Sequence, residues 1–295
     1  MKLIKPSFLI KEQEGGYTGL LKQIEWAGRH CYKSLDKITE NSAKEFVDRM
    51  IKSGHGAMLE HGTVYLRYDF EAEGDSNRTA YWLWSKYNEN KYSESVQAQP
   101  IPGVPNGFVA ITTNYRVLVE NNWLDDLKYL CEPTKYHKKR VCVKFICDRG
   151  ILAEFTRHRT FSFSAESTRY CNYSKDKFGN ELTFIIPNWV NTYCPNKEQE
   201  GPSIASIKWT IAMRNAEASY KILLKIGWTP QQARAVLPNS LKTELVMTGF
   251  VSDWKHFFRI RSRIAETGKP HPQAQELADP LMDEFIKRDI METLI

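Results

Sequence analysis

Two apolar periodicities, one on each side of residue 150, restrict what this chain can fold into. From Arg140 to Asp148 the residues alternate, with Val141, Val143 and Phe145 on one face, which is the period of a half-buried strand. Between residues 203 and 226, Ile204, Ile207, Ile211, Tyr220, Leu223 and Leu224 recur at helical spacing, and Gly227 supplies a stop. A chain carrying both must pack helices on sheet, an α+β arrangement. Residues 2–10 and Val64–Phe70 read as further strands. A helix is expected from Ser42, where Ser42 and Glu45 have capping-box spacing, to Gly54, burying Phe46, Met50 and Ile51. Thr229 and Pro230 read as an N-cap followed by proline at the first helical position, opening a short helix that carries Arg234 and ends before Pro238. Another helix begins near Ser252 and Asp253 and holds Trp254, His256, Phe257, Phe258 and Arg261.

With 295 residues, 42% of them hydrophobic and 26% charged, the chain can bury a full core and is not intrinsically disordered. It reads as a single domain, 1–295, with an insertion at about 71–139. Glu71 to about Gly107 is polar and loop-rich, with a helical piece around Tyr81 to Tyr87, and Trp82 and Trp84 read as anchors of this excursion to the core. No uninterrupted apolar run is long enough for a bilayer, and Lys5, Lys11 and Glu12 break the short N-terminal run, so the cytoplasm is the expected compartment, with no membrane partner. Forty-one Lys and Arg against 35 Asp and Glu leave a net charge of +6. That mild excess suits an anionic ligand and falls short of a nucleic-acid scaffold. The cysteines, Cys31, Cys131, Cys142, Cys147, Cys171 and Cys194, form no CxxC pair and have no histidines at zinc spacing, so they read as reduced thiols and no metal site is expected.

The chemistry concentrates in Arg157-His-Arg-Thr-Phe-Ser-Phe-Ser-Ala-Glu-Ser-Thr-Arg-Tyr170. Arginine forks interleaved with hydroxyls are what phosphate recognition needs, because a phosphate offers several acceptor oxygens and negative charge. In an extended segment Arg157 and Arg159 would share a face and His158 would point the other way, so one stretch could contact two ligands. A solvated basic edge is the competing reading, since exposed arginines are common. Glu60 and His61 could form an acid–base pair, although adjacent side chains diverge and a strand-entry role is as plausible.

An RHR triplet followed after seven residues by serine resembles the signature of the flavin-dependent thymidylate synthases, matched by Arg157-His158-Arg159 and Ser167, with Ser162 inside and Ser167-Thr168-Arg169-Tyr170 closing. Ala27-Gly-Arg-His-Cys-Tyr-Lys-Ser34, His55 to His61, Arg234-Ala-Val-Leu-Pro238 and His256-Phe-Phe-Arg-Ile-Arg261 resemble other segments of that family, in the same order. The chain departs from it at Ser164 and Ala165, where members often carry asparagine and glutamate.

The resemblance implies an α+β fold with an antiparallel sheet core packed by helices, and a methyltransferase activity. That activity is the reductive methylation of dUMP to dTMP, with methylenetetrahydrofolate as carbon donor, NADPH as reductant, FAD as obligatory carrier and no protein nucleophile. It also implies a homotetramer with active sites shared between subunits. By resemblance, the FAD-binding residues are His55, Ala57, Arg157, His158, Arg159, Ala165 and His256. Those binding dUMP are Glu154, Arg157, Ala165, Glu166, Ser167, Thr168, Arg169, Arg234 and Arg261. Arg261 follows Trp254 by seven residues, Phe257 by four and Phe258 by three, so it shares their helix face, where a guanidinium must find an acceptor or snorkel outward. The family match gives it the catalytic role, stabilising charge on the uracil. Two rival classes remain: a nucleic-acid-binding module, and an inactive nucleotide-binding relative.

Overall fold

The computed structural model describes residues 1–71, 75–99, 106–169, 173, 180–190 and 203–292. Its largest sheet is antiparallel, in the order β2 (Ser7–Lys11), β6 (Arg140–Asp148), β9 (Lys242–Phe250) and β7 (Ser162–Ala165). The alternation in β6 does what its period demands: Val143 and Phe145 are buried against Leu245 and Met247 of β9, α9 (Val251–Arg261) and α10 (Pro272–Lys287). The aromatic stripe of α9, Trp254, Phe257 and Phe258, is fully buried in this core together with Phe285 of α10.

A second core forms on the sheet β3 (Thr63–Glu71), β5 (Asn106–Asn114) and β4 (Glu94–Ala98), which is also antiparallel. α1 (Gly16–Tyr32), α2 (Ser42–Lys52), α3 (Gly56–Leu59), α4 (Asp75–Asn88) and α5 (Tyr115–Glu120) surround it. A third cluster joins β8 (Thr183–Ile185) to α7 (Ile204–Lys225) and α8 (Pro230–Ala233). α6 (Arg149–Phe155) links β6 to β7. Among the described residues no helix is long and apolar enough to cross a membrane.

Several local expectations need correction. The strand expected over 2–10 is two strands: β1 (Lys2–Ile4) pairs in parallel with β8, whereas β2 pairs with β6. Pro6, which has no N–H for a ladder, stands at the break. Ser42 does not cap α2. Its Oγ accepts from the Thr39 N–H at 2.9 Å and donates to Glu25 at 2.9 Å. Ala43, Phe46, Val47 and Met50 form the buried face of α2, which leaves Ile51 37% exposed.

The stretch from residue 75 is also more ordered than its polarity predicts. α4 runs from Asp75 to Asn88, and β5 pairs with β3 along its whole length, Asn106 to Asn114. Ala80, Leu83 and Tyr87 anchor α4, while Trp82 is 58% exposed and therefore is no anchor. On α7 the buried face carries Ser206, Met213, Glu217 and Tyr220. Ile204, Ile207 and Ile211 are 78%, 44% and 45% exposed, so their stripe faces away from the packed side of the chain.

Candidate functional site

The central motif is positioned by the two elements that flank it. Asp148 ends β6 and caps α6, accepting from the Ile151 N–H at 2.7 Å, while Gln273 of α10 donates to its other oxygen at 2.8 Å. α6 then delivers Glu154, and the turn after Phe155 carries Arg157, His158 and Arg159. The backbone here is turn and not strand, yet exposure alternates as an extended segment would require. His158 is buried, and Arg157 and Arg159 are exposed with no side-chain partner among the described residues.

His158 packs with its ring centroid 5.1 Å from that of Phe257 and 6.3 Å from that of His256. Burial, and then the charges of Arg261 and His256, push its pKa down to about 4, so the ring is neutral at physiological pH. Its Nε2 accepts from Arg261 Nε at 3.2 Å, which places the proton of the neutral ring on Nδ1. Arg261 also donates to the Glu154 carboxylate and, at 3.1 Å, to the Glu154 carbonyl. Glu154, His158, Arg261 and His256 are thus brought together. The acceptor that Arg261 requires on its apolar helix face is Glu154.

At the far end of β7 the chain from Ala165 to Arg169 enters a second group. The Glu166 N–H bonds to the Glu244 carbonyl at 2.8 Å, and the Ser167 N–H to the Cys31 carbonyl at 3.2 Å. The Glu166 side chain is tied into the protein while bordering a cavity. It is 2% exposed and accepts from Tyr173 and Lys242, both at 3.0 Å, with Lys33 at 3.2 Å. Thr168 accepts from Arg234 at 3.0 Å, and Arg169 donates to Gln231 at 3.1 Å. A cavity of about 350 Å³ opens beside Lys33, Glu166, Tyr173 and Lys242.

Glu244 completes this network through His30, whose Nδ1 lies 2.7 Å from its Oε2, and through Lys242 at 2.6 Å and Lys33. Burial alone would raise the Glu244 carboxyl, but the bond from His30 and the two ammonium groups hold it far below the usual carboxylate range. Burial would likewise lower Lys242, and the Glu166 and Glu244 carboxylates hold it above the ordinary lysine value. Desolvation dominates at His30, whose pKa is lowered. Its neutral ring then donates from Nδ1 to the carboxylate.

His55 and Ala57 are exposed at the start of α3. Tyr32 and His55 Nδ1 share a hydrogen bond of 2.9 Å at a cavity of about 760 Å³ lined by Arg29, Lys33, Lys37, Arg49 and Lys52. Lys33 borders this cavity as well as the one beside Glu166. Tyr170, Cys171 and Cys194 lie outside the described residues.

Sequence reasoning missed Lys33, Lys242, Glu244 and Arg149, whose guanidinium reaches the Glu166 carbonyl at 3.3 Å. A signal existed only for Lys242 and Glu244, which alternate onto one face of a strand. Glu60 and His61 diverge: Glu60 accepts from Arg116 at 2.6 Å, while His61 is buried against Thr248 at 2.8 Å.

A family model described as thymidylate synthase complementing protein matches residues 140–289. The flavin-dependent thymidylate synthase of Pyrococcus abyssi (strain GE5 / Orsay) is 29% identical over 149 residues, 50% of this chain and 55% of its own length. That of Corynebacterium efficiens (strain DSM 44549 / YS-314 / AJ 12310 / JCM 11189 / NBRC 100395) is 32% identical over 129 residues, 39% of this chain and 46% of its own. The chain therefore spans about half the length of the curated relatives it matches. A solved structure of a UMP/dUMP methylase, PolB from Streptomyces cacaoi bound with 5-Br dUMP, aligns over 97% of this chain and 93% of its own at 15% identity, with a TM-score of 0.44.

Proposed function

The chain belongs to the thymidylate synthase complementing protein family, and on that footing we propose that it is a flavin-dependent thymidylate synthase converting dUMP to dTMP in the cytoplasm. One observation supports this above the others. Arg157 and Arg159 are exposed without a protein acceptor among the described residues, while His158 between them is locked into the core. A merely solvated basic edge has no reason to immobilise its central residue.

The residues present fit an anionic dinucleotide cofactor. Arg157 and Arg159, exposed and without a side-chain partner among the described residues, offer guanidinium forks for a pyrophosphate, and the basic cavity beside His55 supplies room and positive charge. Bound FAD would supply the hydride chemistry that lets methylenetetrahydrofolate and NADPH methylate the pyrimidine. The protein's own groups bind and orient. Ser167, Thr168, Arg169 and Arg234 receive the dUMP phosphate, with Ala165 at the loop's entrance, and Glu166 at the same loop is held by Lys242, Lys33 and Tyr173. Arg261, aimed by Glu154 and His158, stabilises negative charge on the uracil.

β7 separates the His158 group from the phosphate loop by three residue steps, roughly 10 Å of extended chain. We extend the proposal to a homotetramer with shared active sites, which the exposed Ile204, Ile207 and Ile211 stripe suits. The single-domain organisation with residues 71–139 as an insertion belongs to the same proposal.

The test is spectroscopic. The purified protein should be yellow, lose its flavin absorbance on anaerobic addition of NADPH, and regain it only when dUMP and methylenetetrahydrofolate are both added. A colourless protein that binds oligonucleotides with strong salt dependence would replace this reading with the nucleic-acid one. Binding of dUMP without NADPH oxidation would mark an inactive relative.

A further inference from the structure

Arg149, the first residue of α6, stands against the phosphate loop as a cation without an acid. It is half-buried, and its backbone N–H is shared between the carbonyls of Asn239 at 2.8 Å and Leu241 at 3.1 Å, where the chain enters β9. From that fixed base the guanidinium reaches the Glu166 carbonyl at 3.3 Å and Thr243 Oγ1 at 3.4 Å. Both acceptors are neutral, and Thr243 is 1% exposed. No carboxylate pairs with Arg149 among the described residues. The adjacent Asp148 is already engaged, capping α6 and accepting from Gln273.

A guanidinium cannot shed its proton, so a half-buried one without an acid leaves positive charge for something else to neutralise. The acids nearby are taken. Glu166 and Glu244 face Lys33 and Lys242, two carboxylates against two ammonium groups, and that network balances by itself. Arg234 is in the same condition as Arg149: it donates to Thr168 Oγ1 at 3.0 Å and has no carboxylate partner among the described residues. Two uncompensated cations therefore grip one short segment, at 166 and at 168, through neutral oxygens only. Between and beyond these points Ser167 is half-buried and Arg169 exposed. Neutral donors would suffice to hold such a loop in place. The charge is what the fold leaves unused, and a phosphate monoester, with close to two negative charges at neutral pH, is its complement.

We propose that Arg149 is a further positioning residue for dUMP: it bears the loop's backbone at Glu166 and lends the segment a positive charge that the phosphate, and no group of the protein, neutralises. This rests on the methylation reading, in which the loop receives the dUMP phosphate. Arg149 acts through the loop and is not itself a catalytic residue.

The purified full-length protein would be titrated calorimetrically with dUMP over a series of ionic strengths, beside Arg149→Gln, which keeps an N–H donor without the charge, and Arg149→Lys, which keeps the charge. At low salt Arg149→Gln should bind dUMP about tenfold more weakly than the parent. Its affinity should also fall less steeply as salt is added, because one screened attraction is gone. Arg149→Lys should stay within about threefold of the parent and keep its salt dependence. Arg149→Met takes the place of glutamine if that variant does not fold, which thermal midpoints report. Affinity within about twofold of the parent in Arg149→Gln would overturn the proposal. So would an equal loss at every ionic strength, the mark of a purely structural contact, or a lysine variant no better than glutamine. Failure of the parent itself to bind dUMP would remove the methylation reading and this inference with it, whereas the other adverse results strike Arg149 alone.

Discussion

Arg261 and Glu154, 107 residues apart in sequence, close on each other between the end of α9 and the end of α6. The guanidinium takes both the carboxylate and the carbonyl of Glu154 and, with its third nitrogen, the ring of His158. Three of the five guanidinium N–H donors are occupied in this way. The pair thereby turns a residue on a hydrophobic helix face into an oriented cation.

If that orientation serves catalysis, Arg261→Ala keeps its flavin and loses about 100- to 1,000-fold in kcat, the scale of removing one transition-state donor. Absorbance of the purified variant and its NADPH-dependent dTMP formation measure the two separately. Near-normal turnover would remove Arg261 from the catalytic role.

Arg157→Ala and Arg159→Ala probe binding without folding. Both side chains are exposed and unpartnered among the described residues, so stability should stay within about 0.5 kcal/mol of the parent. The flavin should nevertheless be lost, which co-purified absorbance reports. Full flavin occupancy in both variants would favour the solvated-edge reading.

No cysteine is expected to act as a nucleophile. Burial pushes the Cys142 thiol up to about 11 and raises Cys147, Cys31 and Cys131 as well, so little thiolate exists at neutral pH. Single replacements of each cysteine by alanine should leave turnover largely intact. Abolition by one of them, with fold and flavin retained, would contradict a mechanism without a protein nucleophile.

Acid should destabilise the fold through its buried histidines. Burial first, then nearby cations, depress His61 to about 3 and His158 to about 4 from an ordinary 6.5, and His30 is lowered in the same direction. The unfolded chain therefore takes up protons near pH 6.5 that the folded chain refuses, so stability is full above 6.5 and falls as pH drops below it. Each such ring contributes a slope of about 1.4 kcal/mol per pH unit until it protonates in the folded state. Glu244 adds to the loss below its ordinary 4.5, because its folded pKa is depressed and its stabilisation disappears on protonation. Urea midpoints should decline between pH 6.5 and 4, and His61→Asn should make the decline shallower.

Lys242→Met tests the network under the phosphate loop. It leaves two buried carboxylates, Glu166 and Glu244, sharing Lys33, and a loss of about 3 kcal/mol in unfolding free energy is expected. Affinity for dUMP should fall with it, since Glu166 would no longer hold its loop. An unchanged denaturation midpoint would show that the network contributes nothing to stability.

What could be read beforehand was local. β6 matches its expected bounds because alternation is a property of nine consecutive residues, and α9 was marked by aromatics at helical spacing. Thr229 and Pro230 announced α8, where Gln232 reaches back to the Thr229 N–H at 2.9 Å. The α7 stripe is legible as a stripe, but periodicity names a face and not the neighbour that covers it, and Ile204, Ile207 and Ile211 are exposed. Polar composition hid the length of α4, of which only the piece around Tyr81 to Tyr87 is legible, and the strand β5, since a strand paired along its full length can carry threonine and asparagine when its partner supplies the packing.

The cationic triplet, its trailing hydroxyls and the helices around them were written in the sequence, because each depends on residues within a turn or two of one another. The partners were not. His30 meets Glu244 across 214 positions and Arg261 meets Glu154 across 107, and only the stacking of α1 on β9 and of α9 beside α6 brings them within hydrogen-bond reach. Such pairings arise from how sheets and helices settle against one another in three dimensions. That Glu166 meets the Lys242 ammonium group was therefore decided only when the chain had folded.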